Sequence, residues 1–488
     1  MLGLSATVAA TTGAQPGSSS EIFWMSAIEM ARLIRGKKLS ARETLAAHLK
    51  QIERVNPKVN AIVTLAAEMA AKAAAAADEL QARKGRLGPL HGLPAAHKDL
   101  VDTRGIRTTY GSPLYKDFIP QANDLIVDQL QAAGAITIGK TNTPEFGAGS
   151  HTFNTVFGAT RNPYDLSKSC GGSSGGAAVA LACGLVPVAD GSDLGGSLRN
   201  PAAFCNVTGF RPTLGRVSNP KAGLPWSVMS TLGCLGRSAA DLAFVLSTIA
   251  GPDPRSPISI NEPGSIFAKP LDRDFKGVRV AWFKDLGGVP FDPRIRQAVD
   301  AQRATFESLG CIVEQAEPDF SPAETAFRVL RAWSSAYGQA ARYRENPNSF
   351  KATLKREIEE GLRLTASQVA QAETARGLLW RRFQSFLDKY EYFVLPTTQA
   401  PPFDIETEYP VEIAGVKMEN YIDWMKSCWY ISTTGNPAVS VPGGFTREGL
   451  PVGIQIVGRN RADFAVLQLA HAFEQATRFG RKRPQVAL

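Results

Sequence analysis

Paired glycines set among serines constrain this chain more than any other feature. Ser169-Cys170-Gly171-Gly172-Ser173-Ser174-Gly175-Gly176 opens a segment that closes with Asp193-Leu194-Gly195-Gly196-Ser197-Leu198-Arg199. Glycine loses more conformational freedom on folding than any other residue. Such runs are costly unless the backbone must take unusual conformations or approach something closely. Flexible linkers are the plain alternative for Gly/Ser tracts. The stretch between the clusters argues against linkers: residues 177–189 are small and apolar, and read as a buried helix running into a strand. The two clusters, 24 positions apart from Ser173 to Ser197, have the composition of a site that activates a serine and holds an oxyanion.

At 488 residues the length suggests two or three domains, although large α/β enzymes often fold as one unit. Hydrophobic residues at 44% and charged residues at 20% are those of an ordinary globular protein. The net charge of +9 is dispersed. Its short clusters, Arg35-Gly36-Lys37-Lys38 and Arg481-Lys482-Arg483, have no interleaved aromatics, so they read as solvated surface and no nucleic-acid partner is expected. Six cysteines (Cys170, Cys183, Cys205, Cys234, Cys311 and Cys428) lack CxxC or Cys/His spacing, which argues against a zinc site or a disulfide framework. No apolar run reaches the roughly 18 residues of a membrane span. Residues 1–20 have no charged side chain and read as a disordered tail. The alternative, part of an export signal, needs a basic n-region, and the first basic residue is Arg32. The expected location is cytoplasmic, or periplasmic if residues 1–20 do belong to an export signal.

Capping boxes at Ser26-Ala27-Ile28-Glu29 and Ser40-Ala41-Arg42-Glu43 predict the starts of two helices. Asn56-Pro57 is expected to end the second. An Ala-rich helix over residues 66–84 is stopped by Gly85. Beyond Gly88, short apolar runs at residues 93–97, 135–138, 185–189, 278–282 and 392–395 alternate with helical patterns. That alternation predicts α/β layering around a large sheet. Residues 252–399 are richer in charge and helix and read as a helical elaboration packed on a single domain spanning 21–488.

Two motif matches mislead. Gly134-Ala135-Ile136-Thr137-Ile138-Gly139-Lys140-Thr141 satisfies the phosphate-loop pattern GxxxxGK[ST], but its variable positions read as a strand where a phosphate cradle needs a loop. Gly171-Gly172-Ser173-Ser174-Gly175 satisfies GxSxG, which requires a downstream acid and histidine. Of His48, His91, His97, His151 and His471, only His471 lies downstream, within an amphipathic terminal helix. A lysine made neutral by burial or by nearby positive charge can serve as the base instead. The candidate is Lys98, at the end of Gly88-Pro89-Leu90-His91-Gly92-Leu93-Pro94-Ala95-Ala96-His97-Lys98-Asp99. Taken alone, it reads first as a surface lysine at a strand end.

Gly88 to Asp99, Gly139-Lys140-Thr141-Asn142-Thr143-Pro144-Glu145-Phe146-Gly147, Arg161-Asn162-Pro163, the Gly171 to Ser197 core, Gly435-Asn436-Pro437-Ala438-Val439-Ser440-Val441-Pro442 and Gly449-Leu450-Pro451-Val452-Gly453 occur in this order. Together they resemble the amidase signature family. The resemblance implies that family's α/β fold, a large mixed twisted β-sheet covered by helices on both faces. It also implies a Ser-cisSer-Lys triad with Lys98 as base, Ser173 as the bridging serine on a cis peptide bond, and Ser197 as nucleophile. Ser174 is then structural, and the backbone N–H groups of Leu194, Gly195, Gly196 and Ser197 form an oxyanion hole. Asp193 and Arg199 brace the loop, although plain surface charge remains an equal reading of Arg199. Gly147 and Gly149 are expected near the acyl group. Trp424, in the aromatic run Tyr421-Ile422-Asp423-Trp424-Met425 with Trp429 and Tyr430, reads equally as pocket wall or as core.

The activity implied is hydrolysis of a small carboxylic amide through a serine acyl-enzyme, with no metal or organic cofactor required, no membrane partner, and a homodimer left open. The runner-up is the amidase-like subunit of a tRNA-dependent amidotransferase. Such a subunit is expected to carry a glycine-tyrosine-tyrosine motif in the middle region, where this chain reads Thr353-Leu354-Lys355-Arg356-Glu357-Ile358. A catalytically dead binding protein on the same fold is the third reading, and the intact triad argues against it.

Overall fold

Ser26 and Ser40 start α1 (Ala27–Arg35) and α2 (Ala41–Val59). At Ser40 the capping box is complete, with Glu43 N donating to the hydroxyl and the Glu43 carboxylate accepting from Ser40 N. At Ser26 only the first half forms. Contrary to expectation, α2 continues through Asn56-Pro57 to Val59. A proline in the last turn removes one helical hydrogen bond, and the chain supplies a local exit in its place. Asn56 Oδ1 accepts from Ala61 N and Ile62 N at 2.9 Å each, while Asn60 closes the helix in the left-handed region with φ 53. The Ala-rich helix is α3 (Ala67–Ala82). This computed structural model describes residues 22–488, so the expected tail over 1–20 lies outside the described residues.

Eleven strands form one mixed sheet: β1 (Ile62–Leu65), β2 (Pro94–Lys98), β3 (Ile136–Thr141), β4 (Val188–Asp193), β5 (Thr208–Arg211), β6 (Thr231–Gly236), β7 (Arg279–Trp282), β8 (Ile312–Gln315), β9 (Tyr392–Pro396), β10 (Ala438–Phe445) and β11 (Pro451–Gly458). Their spatial order is β1-β3-β2-β4-β6-β5-β10-β11-β9-β7-β8. Helices cover both faces. β2 runs parallel to both β3 and β4, whereas the pairs from β4 through β9 are antiparallel. Residues 252–399 supply long helices and also three strands of the sheet, β7, β8 and β9. The sequence Gly139-Lys140-Thr141 lies inside β3. Lys140 is buried there and donates to Val101 O and Thr103 Oγ1, as befits a strand residue rather than a phosphate cradle.

The parallel β3-β2-β4 unit positions the reactive side chains. Ala95 and Ala96 pair with Val188 and Ala189, so Lys98 and the loop after Asp193 emerge from the same edge of the sheet. Carboxyl ends of parallel strands are where α/β sheets form their crevices. α4 (Gly175–Ala182) is buried at every residue and packs against β2, β3 and β4. Gly176 makes that approach possible, because a Cβ there would meet Asn142 N at 2.3 Å. α5 (Arg199–Cys205) comes after the second glycine pair and lies on β10, β11 and β5. Farther along, α6 (Ala323–Glu345) packs on α7 (Ala352–Leu362) and α8 (Ala366–Leu387), and against α9 (Lys426–Thr434). α10 (Asp463–Thr477) carries His471. No helix among the described residues is long and apolar enough to cross a membrane.

Candidate active site

Lys98 ends β2 fully buried. Its Nζ donates to Ser173 Oγ at 2.7 Å and to Ser192 Oγ at 3.1 Å. Burial lowers its pKa to about 7, against the raising pull of the Asp193 and Asp190 carboxylates. The surface reading of this lysine is thereby replaced, and a substantial neutral fraction is present near pH 7. Asp190 anchors the strand end: its Oδ1 accepts from Lys98 N at 2.7 Å, and its Oδ2 lies 2.6 Å from His97 Nδ1.

The Gly172–Ser173 peptide bond is cis. Ser173 and Ser197 line one cavity of about 250 Å³, together with Ser192, Leu194 and Gly195. Ser174 N donates to Ser197 O at 3.2 Å, tying the two serine segments together through the backbone. Ser174 Oγ faces away, toward Ser192 O at 3.4 Å. No hydrogen bond joins the Ser173 and Ser197 hydroxyls among the described residues. The relay expected from sequence therefore has its Lys98–Ser173 half made. Its Ser173–Ser197 half needs only the Ser197 side chain, 9% exposed to the cavity, to turn.

Asp193 is the hub of the nucleophile loop. Its Oδ1 accepts from Gly196 N at 2.9 Å, Arg199 Nη2 at 2.9 Å and Arg211 Nη1 at 3.0 Å. Its Oδ2 accepts from Leu198 N at 3.1 Å and Arg199 Nε at 3.0 Å. Burial by itself would raise the Asp193 pKa, but the guanidinium groups of Arg199 and Arg211 hold it well below the usual carboxylate range. Arg199 is fully buried, so it is not surface charge. Contrary to expectation, the Gly196 N–H is spent on Asp193 and is not an oxyanion donor. The N–H groups of Leu194, Gly195 and Ser197 remain, and none of them donates to a protein acceptor among the described residues. Replacing Asp193 with alanine leaves two guanidiniums buried without a counter-charge. We expect a loss of about 3–5 kcal/mol of stability, read as a lower midpoint of denaturant unfolding; an unchanged midpoint would show that the pair relaxes into other contacts.

The opposite wall contains Gly147 and Gly149, as expected. Gly147 has φ +71, and a Cβ there would come within 2.8 Å of Leu100 Cδ1 and 3.5 Å of Ser173 Oγ. Trp424 is not in that wall. It is 1% exposed and packs against Phe204 and Phe403, with ring centroids 5.8 and 5.3 Å away. An indole beside two other rings is better buried in the core than left on a small polar cavity. Trp429 likewise stacks on Phe327 at 4.5 Å. No histidine serves the serines. His97 is held by Asp190 and Thr137, and His151 by Ser169 and Ile405 O. His48 bonds Gly184 O, and His91 bonds Ala77 O.

Sequence reasoning missed Ser192, Asp190, Arg211 and the residues that α6 and α7 bring to the cavity. Asp190 and Ser192 were detectable in principle. They are alternate polar residues in a strand of otherwise small side chains, and so share one face.

A mixed α/β sheet with a lysine, two serines and unpaired N–H groups in one cavity at the strand ends defines an amide-bond hydrolase. A model of the amidase family matches residues 43–467, and the chain belongs to that family, the amidase signature enzymes. It is 36% identical over 483 residues to an acylamidase from Rhodococcus erythropolis, covering 96% of this chain and 99% of that one. It is also 36% identical over 490 residues to the amidase-like component of a glutamyl-tRNA(Gln) amidotransferase from Geobacillus kaustophilus, covering 95% and 99%. Among solved structures, a bacterial aryl acylamidase of the amidase signature enzymes matches with a TM-score of 0.88 at 28% identity, covering 94% of this chain and 98% of the other.

Proposed function

We propose that this chain is a stand-alone acylamidase that cleaves the C–N bond of a small amide through an acyl-enzyme on Ser197. Neutral Lys98 takes the proton of Ser173 as Ser173 takes that of Ser197. The Ser197 oxygen then bonds to the carbonyl carbon. Leu194, Gly195 and Ser197 N–H groups receive the negative charge that develops on the carbonyl oxygen, each such donor being worth about 3 kcal/mol. The C–N bond breaks as the proton held by Lys98 passes through Ser173 to the leaving nitrogen. Water, deprotonated along the same route, then displaces Ser197 and releases the carboxylate. The observation that carries this reading is the 2.7 Å contact from the Lys98 Nζ to Ser173 Oγ, in a chain whose histidines are all engaged elsewhere or remote. No step calls for a metal or an organic cofactor.

Similarity to an amidotransferase component favours a second reading, in which turnover appears only in an assembly of several different chains. Aliphatic, aryl and peptide amides offered to the purified chain separate the two. We expect hydrolysis by the chain alone, and aryl acylamides among the accepted substrates; activity confined to mixtures with partner chains would overturn the stand-alone reading. A cytoplasmic location is part of this proposal, supported by six buried cysteines that are all unpaired.

A further inference from the structure

Helix α6 presents Arg331, Ser334, Ser335, Gly338 and Gln339 to the cavity. These positions share one face at helical spacing, opposite the wall that contains Ser173 and Ser197. Four of them are small or uncharged. Arg331 is the exception, and it is held rigidly. Its Nε donates to Glu357 Oε2 at 3.2 Å, and its Nη2 donates to the Tyr421 hydroxyl. Tyr421 and Ser335 in turn donate to the two oxygens of Glu357. The guanidinium also lies over the Tyr421 and Phe327 rings, 5.4 and 5.9 Å from their centroids. Two of its three nitrogens are thus committed, while Nη1 donates to no group among the described residues. A guanidinium fixed at two corners and stacked on aromatic faces loses little further freedom when it forms a third bond.

Charge limits what that bond accepts. Glu357 already neutralises Arg331, and Glu408 lies 3.2 Å from Lys351 Nζ. Glu145 adds another carboxyl, accepting from Lys351 N at 2.9 Å and from Ser112 Oγ at 2.9 Å. A carboxylate on the substrate would enter this buried cluster without a cation of its own, and an uncompensated charge out of water is strongly disfavoured. An uncharged oxygen meets no such penalty.

On the reading of this cavity as an acyl-enzyme site, we infer that Arg331 is its specificity-determining residue, donating through Nη1 to an uncharged oxygen acceptor that the substrate carries apart from its scissile carbonyl. The substrates selected are small, neutral amides with a second carbonyl-like group. A cavity of about 250 Å³ sits just below the usual ligand range of about 300–1,000 Å³.

Binding to the Ser197→Ala protein tests this separately from turnover. Calorimetry compares two matched series, one varied on the amine side and one on the acyl side. They are the para-acetyl, para-isopropyl and para-carboxyl acetanilides, and the anilides of levulinic, isocaproic and succinic acid. We expect the ketone of one series to bind about tenfold more tightly than its isosteric alkyl partner, the size of one hydrogen bond to a charged donor, and the carboxylate to bind most weakly. Adding Arg331→Met should erase the ketone preference. Glu357→Gln, which keeps the guanidinium and removes its counter-charge, should raise the affinity for the carboxylate about tenfold relative to the ketone. No ketone preference in either series, or a preference that survives Arg331→Met, overturns the inference, as does a carboxylate affinity unmoved by Glu357→Gln. Wild-type protein that binds the ketone with this preference but hydrolyses none of the six would count against the acyl-enzyme reading and leave the role of Arg331 standing.

Discussion

Ser197→Ala is expected to leave a folded protein whose amide turnover falls on the order of 10⁴- to 10⁶-fold, the range seen when a nucleophile that works as part of a catalytic unit is removed. The fold should persist because the Ser197 hydroxyl faces the cavity and the loop around it is held by Asp193, through Gly196 N, Leu198 N and Arg199. Steady-state kinetics, an unfolding curve, and mass spectrometry for an acylated Ser197 in the wild type check the three parts. More than trace activity in a preparation shown to be free of wild-type enzyme would remove Ser197 from its role.

Lys98→Ala should lower kcat/KM for amides by about 10³-fold, within the range for a general acid–base group. Hydrolysis of matched activated esters should suffer less. An ester leaving group departs without the proton that an amide nitrogen needs. Equal losses on both substrates would count against proton delivery by Lys98, and full activity in the variant would sink the triad. The wild-type pH profile is set by the same residue. Burial lowers the Lys98 pKa to about 7, and only the neutral amine accepts a proton. Activity should therefore fall about tenfold per pH unit below that value and level off above it. Asp190 pulls this pKa upward, so Asp190→Asn should move the limb to lower pH. A limb that stays in place would show that Asp190 only anchors the strand.

Legibility in the sequence tracks the range of the interactions concerned. The strand bearing Lys98, the buried helix after the first glycine pair and the second glycine turn are readable because each is a local pattern of spacing and residue size. Asn56-Pro57 misleads because the loss of one helical bond is offset by the Asn56 side chain reaching Ala61 and Ile62, and composition does not show that exit. Trp424 has no single reading in the sequence, since an aromatic run looks alike whether it meets a cavity or, as here, Phe204 and Phe403. Gly196 groups with the oxyanion donors because its neighbours qualify, and only the placement of the Asp193 carboxylate shows that its N–H is taken.

The sequence by itself determined the class of sheet, the glycine turns, and the presence of one lysine and two serines suited to a hydrolase without histidine. Each depends on neighbours within a few positions or on an ordered set of short motifs. Tertiary structure alone decided that Lys98 is buried and close to neutral, that Asp193 joins Arg199 to Arg211, and that Arg331, more than 130 positions beyond Ser197 in the chain, faces the same cavity. Proton affinity and charge balance depend on what surrounds a group in three dimensions, and those surroundings come from strands and helices far apart in the chain.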